Sequence, residues 1–184
     1  MRPRHSLALT LIFAMLLPCS ACSLHEEPAD ILEKSEALLQ GGYRCPLTLS
    51  AENTTAEGQL HWTAESQTLT LQSPEALSGL SFTLSPSGLL LELEGIRQPL
   101  LLGQLLDSSA ARLLFESLSQ LSPQLCEEET APELSLEDGQ LSVLWPKVTL
   151  TLDAASGAPL LLEGKYCQIR FGEGEGMGSV QRLP

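Results

Sequence analysis

Three histidines and five cysteines carry most of the reactive chemistry that this 184-residue chain could perform. His61 is the only histidine inside the expected fold; His5 and His25 precede it. A general base must be oriented by a partner within hydrogen-bond reach, and no acid or hydroxyl motif near His61 supplies one. The chain has no Gly-x-Ser-x-Gly elbow and no His-Glu-x-x-His, and outside the N-terminal Cys19-Ser20-Ala21-Cys22 it has no Cys-x-x-Cys, so neither a nucleophile elbow nor a zinc site is expected within the fold. Gly172, Gly174, Gly176 and Gly178 follow the last strand instead of opening a helix, which is the wrong context for a phosphate loop. Glu92 and Glu94 share a parity and could pair as carboxylates, but alternating charge on a wet strand face accounts for them. Glu127, Glu128 and Glu129 read as a solvated loop. No catalytic residue, metal or cofactor is therefore assigned, and the protein is expected not to be an enzyme.

Charge narrows the partners. With 23 acidic and 10 basic residues the net charge is −13. Nucleic-acid binders carry a basic face, and anionic headgroups attract basic segments; this chain offers neither. Its apolar fraction of 43% is that of a globular domain, and its length suits a single core.

The positioning elements begin after an address. Arg2 and Arg4 precede the apolar run Ser6 to Leu17, then Pro18-Cys19-Ser20-Ala21-Cys22. Twelve residues are too few to span a bilayer comfortably and suit a signal h-region. The segment resembles a bacterial lipoprotein signal, in which small residues precede a cysteine that receives diacylglycerol. On that resemblance residues 1–21 are removed and Cys22 is lipidated; an ordinary secretory signal cleaved nearby is the alternative. Loss of Arg2 and Arg4 leaves eight basic and 23 acidic residues, so lipid, not charge, would hold the chain at a membrane. A diacyl anchor supplies the two chains that stable attachment needs.

Residues 22–28 read as a tether. Asp30 to Gln40 predicts a helix with Ile31, Ser35, Leu38 and Leu39 on one face, stopped by Gly41-Gly42. From Tyr43 the apolar period becomes two. Five strands alternate through Tyr43/Cys45/Leu47/Leu49, Leu60/Trp62/Ala64, Leu69/Leu71, Leu80/Phe82/Leu84 and Leu89/Leu91/Leu93. Gly95 to Pro99 interrupts the pattern. A second helix is predicted over roughly 109–121, capped by Asp107 or Ser108. Hairpin chemistry at Glu137-Asp138-Gly139-Gln140 then opens a second strand series ending at Phe171, with residues 172–184 as a flexible tail. Only four isoleucines and three valines are present, so these strands rest on alternation and turns and not on β-propensity. Nine or ten antiparallel strands with one apolar face must curl and be covered, and only the two helices can cover them.

After Cys22, the cysteines Cys45, Cys126 and Cys167 remain. Three is odd, so at most one internal disulfide forms. Cys45 and Cys167 share the apolar face, and export permits a bridge between them; two buried free thiols are the alternative.

The stretches Glu57-Gly-Gln-Leu-His-Trp62 and Gln67-Thr-Leu-Thr-Leu-Gln-Ser-Pro74, and the later Asp153-Ala-Ala-Ser-Gly-Ala-Pro159, resemble the LolA-like and LolB-like lipoprotein-carrier superfamily. Lipidated members similar to clostridial germination lipoproteins come nearest in layout. The resemblance covers most of residues 29–171. It implies a mainly β fold: an incomplete, curved antiparallel half-barrel with two helices over its concave face, where carriers hold acyl chains. The inward set would then be Leu60, Trp62, Leu69, Leu71, Phe82 and Leu91. Two functions follow from the chain. One is an anchored extracytoplasmic lipoprotein that binds an acyl chain or other lipid. The other is a non-enzymatic scaffold for a cell-envelope enzyme, marked by an apolar patch or a free sheet edge.

Overall fold

The computed structural model describes residues 27–51, 54–106, 109–119, 121 and 131–176. Cys22 and its signal, the proposed caps Asp107 and Ser108, Cys126, the acidic run 127–129 and residues 177–184 lie outside the described residues.

Helix α1 (Pro28–Gln40) opens on a capping box: the Glu27 N–H donates to the Asp30 carboxylate at 3.4 Å, with Pro28 in the first turn. Its buried residues are Ile31, Ser35 and Leu39, three of the four that the sequence places on one face; the fourth, Leu38, is half-buried. Two glycines end it, and Gly42 takes φ 92°. Then come β1 (Tyr43–Ala51), β2 (Thr54–Trp62), β3 (Gln67–Ser73), β4 (Ser81–Ser85), β5 (Gly88–Leu93) and β6 (Ile96–Leu100). Helix α2 (Ala110–Ser119) separates them from β7 (Glu133–Glu137), β8 (Gln140–Trp145), β9 (Val148–Asp153), β10 (Pro159–Gly164), β11 (Cys167–Phe171) and the short β12 (Glu175–Gly176).

Every pairing is antiparallel, in the order β6-β5-β4-β3-β2-β1-β11-β10-β9-β8-β7, with β12 also on β1. The sheet does not close: β6 and β7 are its edges. One face holds the buried leucines of both meanders in a single cluster with Ile31, Leu39, Leu114, Phe115 and Leu118 of the helices. Both helices thus lie on the concave side of an open half-barrel. The opposite face is polar, as in the Thr68–Thr83 hydroxyl pair at 3.1 Å.

Four details differ from the sequence reading. Residues 96–100 form a strand. Arg97, Gln98 and Pro99 carry no apolar alternation because β6 is an exposed edge, where proline costs no ladder bond. Glu94 sits in the turn before it at φ 49°, and Glu92 pairs with Arg97 at 3.1 Å, so the two carboxylates do not act together. The cap of α2 is Ser109, whose Oγ accepts from the Arg112 N–H at 3.4 Å. The chain also stays on the sheet through Gly176.

The Asp153–Pro159 turn is where α1 docks. The Asp153 carboxylate accepts from the Ser156 hydroxyl at 2.6 Å and its N–H at 2.8 Å, which holds it below the usual carboxylate range. Lys34 Nζ donates to the Ala154 and Ala155 carbonyls, each at 3.3 Å. Gly157, at φ +73°, lets the α1 backbone approach so closely that a Cβ would stand 2.5 Å from Ser35 N. Gly157→Ala is expected to lower the thermal midpoint clearly more than Gly79→Ala. The latter has φ +84° but nothing within 4 Å of its Cβ, so it meets only the left-handed penalty of about 1–2 kcal/mol. Equal midpoints for the two variants would refute the docking role of this turn.

Candidate functional site

The concave face is built from cross-strand rows. One row runs Cys45–Leu60–Leu69–Phe82–Leu91, and the next runs Tyr43–Trp62–Gln67–Leu84–Leu89–Leu100. The inward set expected from alternation therefore shares one face, with Leu71 a further step along β3. Its members do not share one environment. Leu60, Trp62, Leu69 and Leu71 are core, at 0%, 3%, 1% and 7% exposure, whereas Phe82 and Leu91 are only half-buried. The cover explains the gradient. Helix α1 packs chiefly on β1 and β7, and α2 on β1 and β11, so the helices seat near mid-sheet and the β7 side. Over β4 and β5 the inward residues are half-buried, except Leu89 at 2% and Leu93, exposed at 36%.

The segment leaving β6 crosses back toward α2. Leu102 and Leu105 pack against the core, while Leu101 and Leu106 stand 70% and 75% exposed. Arg112 ties the segment to α2: its guanidinium donates to the Leu105 carbonyl at 3.1 Å and to Glu116 at 2.6 Å. Around the concave face, then, lies an apolar shelf of Leu80, Phe82, Leu84 and Leu91 beside a leucine-rich strap. Such a surface suits a flexible apolar ligand.

One inward residue escaped the sequence reading. Gln67 shares the parity of Leu69 and Leu71 and is 3% exposed. Parity alone marked it; its polar side chain concealed it. Its Nε2 donates to Ser119 Oγ at 3.3 Å, and its buried Oε1 has no partner among the described residues. An unpaired buried acceptor costs about 1–3 kcal/mol, so its retention on an apolar face needs a reason.

His61 lies on the other face, opposite Arg44 and Thr68 in register, and its Nε2 is buried without a partner among the described residues. Among the described residues no group of three or more His, Cys, Asp or Glu could hold a metal ion. Of the two readings left open for Cys45 and Cys167, the structure has two buried free thiols and no bridge between them. The β1–β11 register sets Cys167 opposite Ala51, six residues from Cys45. That is about 20 Å along the strand, far beyond the roughly 4–7 Å between bridged Cα atoms. Burial pushes the Cys45 thiol up to about 11, partly offset by its hydrogen bond with Tyr43. Burial likewise raises Cys167. Thiolate is the reactive form, and burial disfavours it at both positions. Among the described residues no helix is long and apolar enough to cross a membrane.

No family model and no curated protein matches the chain. Solved structures do. LolA superfamily and lipoprotein-sorting proteins are among those that it is similar to. A LolA superfamily protein from Nitrosomonas europaea is 12% identical over 85% of this chain and 94% of its own, at TM-score 0.45. A domain of an outer membrane lipoprotein-sorting protein from Vibrio parahaemolyticus is 10% identical over 83% and 93%, also at 0.45. A chain from the complex of the CwlD amidase with the GerS lipoprotein of Clostridioides difficile is 15% identical over 91% and 95%, at 0.36.

Proposed function

We propose that this protein is a membrane-anchored extracytoplasmic lipoprotein that binds an apolar ligand, of the acyl-chain or lipid class, on the concave face of its half-barrel. The observation that carries the reading is the incomplete cover: Phe82 and Leu91 lie in one row with the core leucines yet stay half-buried. Burying apolar area there would release about 25 cal/mol per Å², and leucine surfaces accommodate flexible chains without demanding one shape. Anchoring rests on the signal pattern ending at Cys22. A second reading, a scaffold that docks a cell-envelope enzyme, is favoured by the free edge β6, where Ile96, 74% exposed, stands opposite the exposed Leu93.

Two outcomes are expected. Cys22→Ala should move the protein from the membrane to the soluble fraction, and wild-type protein should carry the mass of a diacylglycerol; membrane retention of the variant would reject lipidation there. The soluble full-length variant, carrying Trp145→Phe so that Trp62 alone reports, should bind N-phenyl-1-naphthylamine saturably. Leu91→Asn should weaken that binding about tenfold or more, the worth of a leucine contact, and Leu90→Asn, on the outward face, under about twofold. Absence of saturable binding would reject ligand carriage and leave the scaffold reading, which predicts a stoichiometric co-purifying protein.

A further inference from the structure

The orphaned acceptor on the concave face points to the chemical class of the ligand. Gln67 is held from one side only: its Nε2 donates to Ser119 Oγ at the end of α2, which leaves Oε1 buried with no partner among the described residues. In register it sits between Trp62 and Leu84, one row from Leu69, Phe82 and Leu91. An amphiphile whose tail lies along the Phe82 and Leu91 shelf can therefore bring its polar end to this amide. A buried carbonyl oxygen accepts a hydrogen bond and repels an anion. A neutral hydroxyl satisfies it; an ionised carboxylate or phosphate does not, and a methyl-capped oxygen has no proton to offer.

We propose that Gln67 is a specificity residue that reads the head of the ligand, and that the half-barrel selects single-chain amphiphiles ending in a neutral hydrogen-bond donor of the fatty-alcohol or monoacylglycerol kind. The proposal rests on the apolar-ligand reading above and narrows it. Matching a buried unpaired group discriminates strongly against analogues that lack the donor.

The test compares 1-dodecanol with 1-methoxydodecane as competitors of N-phenyl-1-naphthylamine on the full-length Cys22→Ala, Trp145→Phe protein. The alcohol should bind about tenfold tighter than the ether, the value of one hydrogen bond to a buried group. Gln67→Leu and the near-isosteric Gln67→Met should each bind the two competitors equally while keeping their affinity for the ether; whichever variant keeps the wild-type circular dichroism is read. Equal binding of alcohol and ether by the parent protein, or a tenfold preference that survives loss of the amide, overturns the proposal and leaves the apolar-ligand reading standing. Failure of both competitors to displace the probe from a protein that binds it also overturns the proposal. A parent protein that binds neither probe nor competitor overturns both.

Discussion

The ladder between β1 and β11 holds the architecture together. Each meander is built locally, hairpin by hairpin, but the pairing of β1 with β11, Leu47 opposite Phe171 and Leu49 opposite Ile169 among its rungs, and with the short β12 joins them into one sheet with one inward face. Their parity fixes the rest: because side chains alternate, a slip of one residue would turn every leucine of one meander toward water. Both helices bear on this seam, α1 and α2 each packing on β1. The cluster that forms there includes Ile31, Leu114, Phe115, Leu118 and Ile169, all fully buried. Tyr43 anchors one end of β1. It is 2% exposed, and burial together with Cys45 pushes its hydroxyl well above the usual tyrosine range. The glycine-rich segment after β11 lies so close that a side chain at Gly174 would collide with the Tyr43 ring.

Seating the helices at the seam leaves the sheet unevenly covered, and the proposed ligand binding rests on this unevenness. Burial falls from Leu60 and Leu69 to Phe82 and Leu91 along one row, so core and candidate binding surface are parts of the same face. A domain that needed only stability would gain by extending the cover over Leu84 and Leu91. This one instead runs a strap of leucines beside the shelf, two turned in and two turned out, fixed to α2 through Arg112.

Much of this was legible in the residues. Alternation placed Leu60, Trp62, Leu69, Leu71, Phe82 and Leu91 on one face, and the structure keeps them there. The Glu137–Gln140 hairpin and the Ile31/Ser35/Leu39 stripe were equally plain, because period and turn chemistry are local. What escaped depends on distant contacts. β6 has no pattern because an edge strand buries little, and it forms only because β5 is there to pair with. The separation of Cys45 from Cys167 depends on register between strands more than a hundred residues apart, which parity cannot supply. Which inward leucines are sealed depends on where the helices land, and Gln67 was hidden because a polar residue on an apolar parity looks like an outward one.

Hydrogen exchange with and without saturating 1-dodecanol tests the central claim, that the apolar ligand seats on the partly covered end of the concave face. The account predicts slowed exchange in residues 80–91 and 101–106, with residues 141–152, already sealed on the other side of the seam, unchanged. Saturable binding that leaves 80–91 unprotected, or that protects only the β7–β9 side, would contradict it.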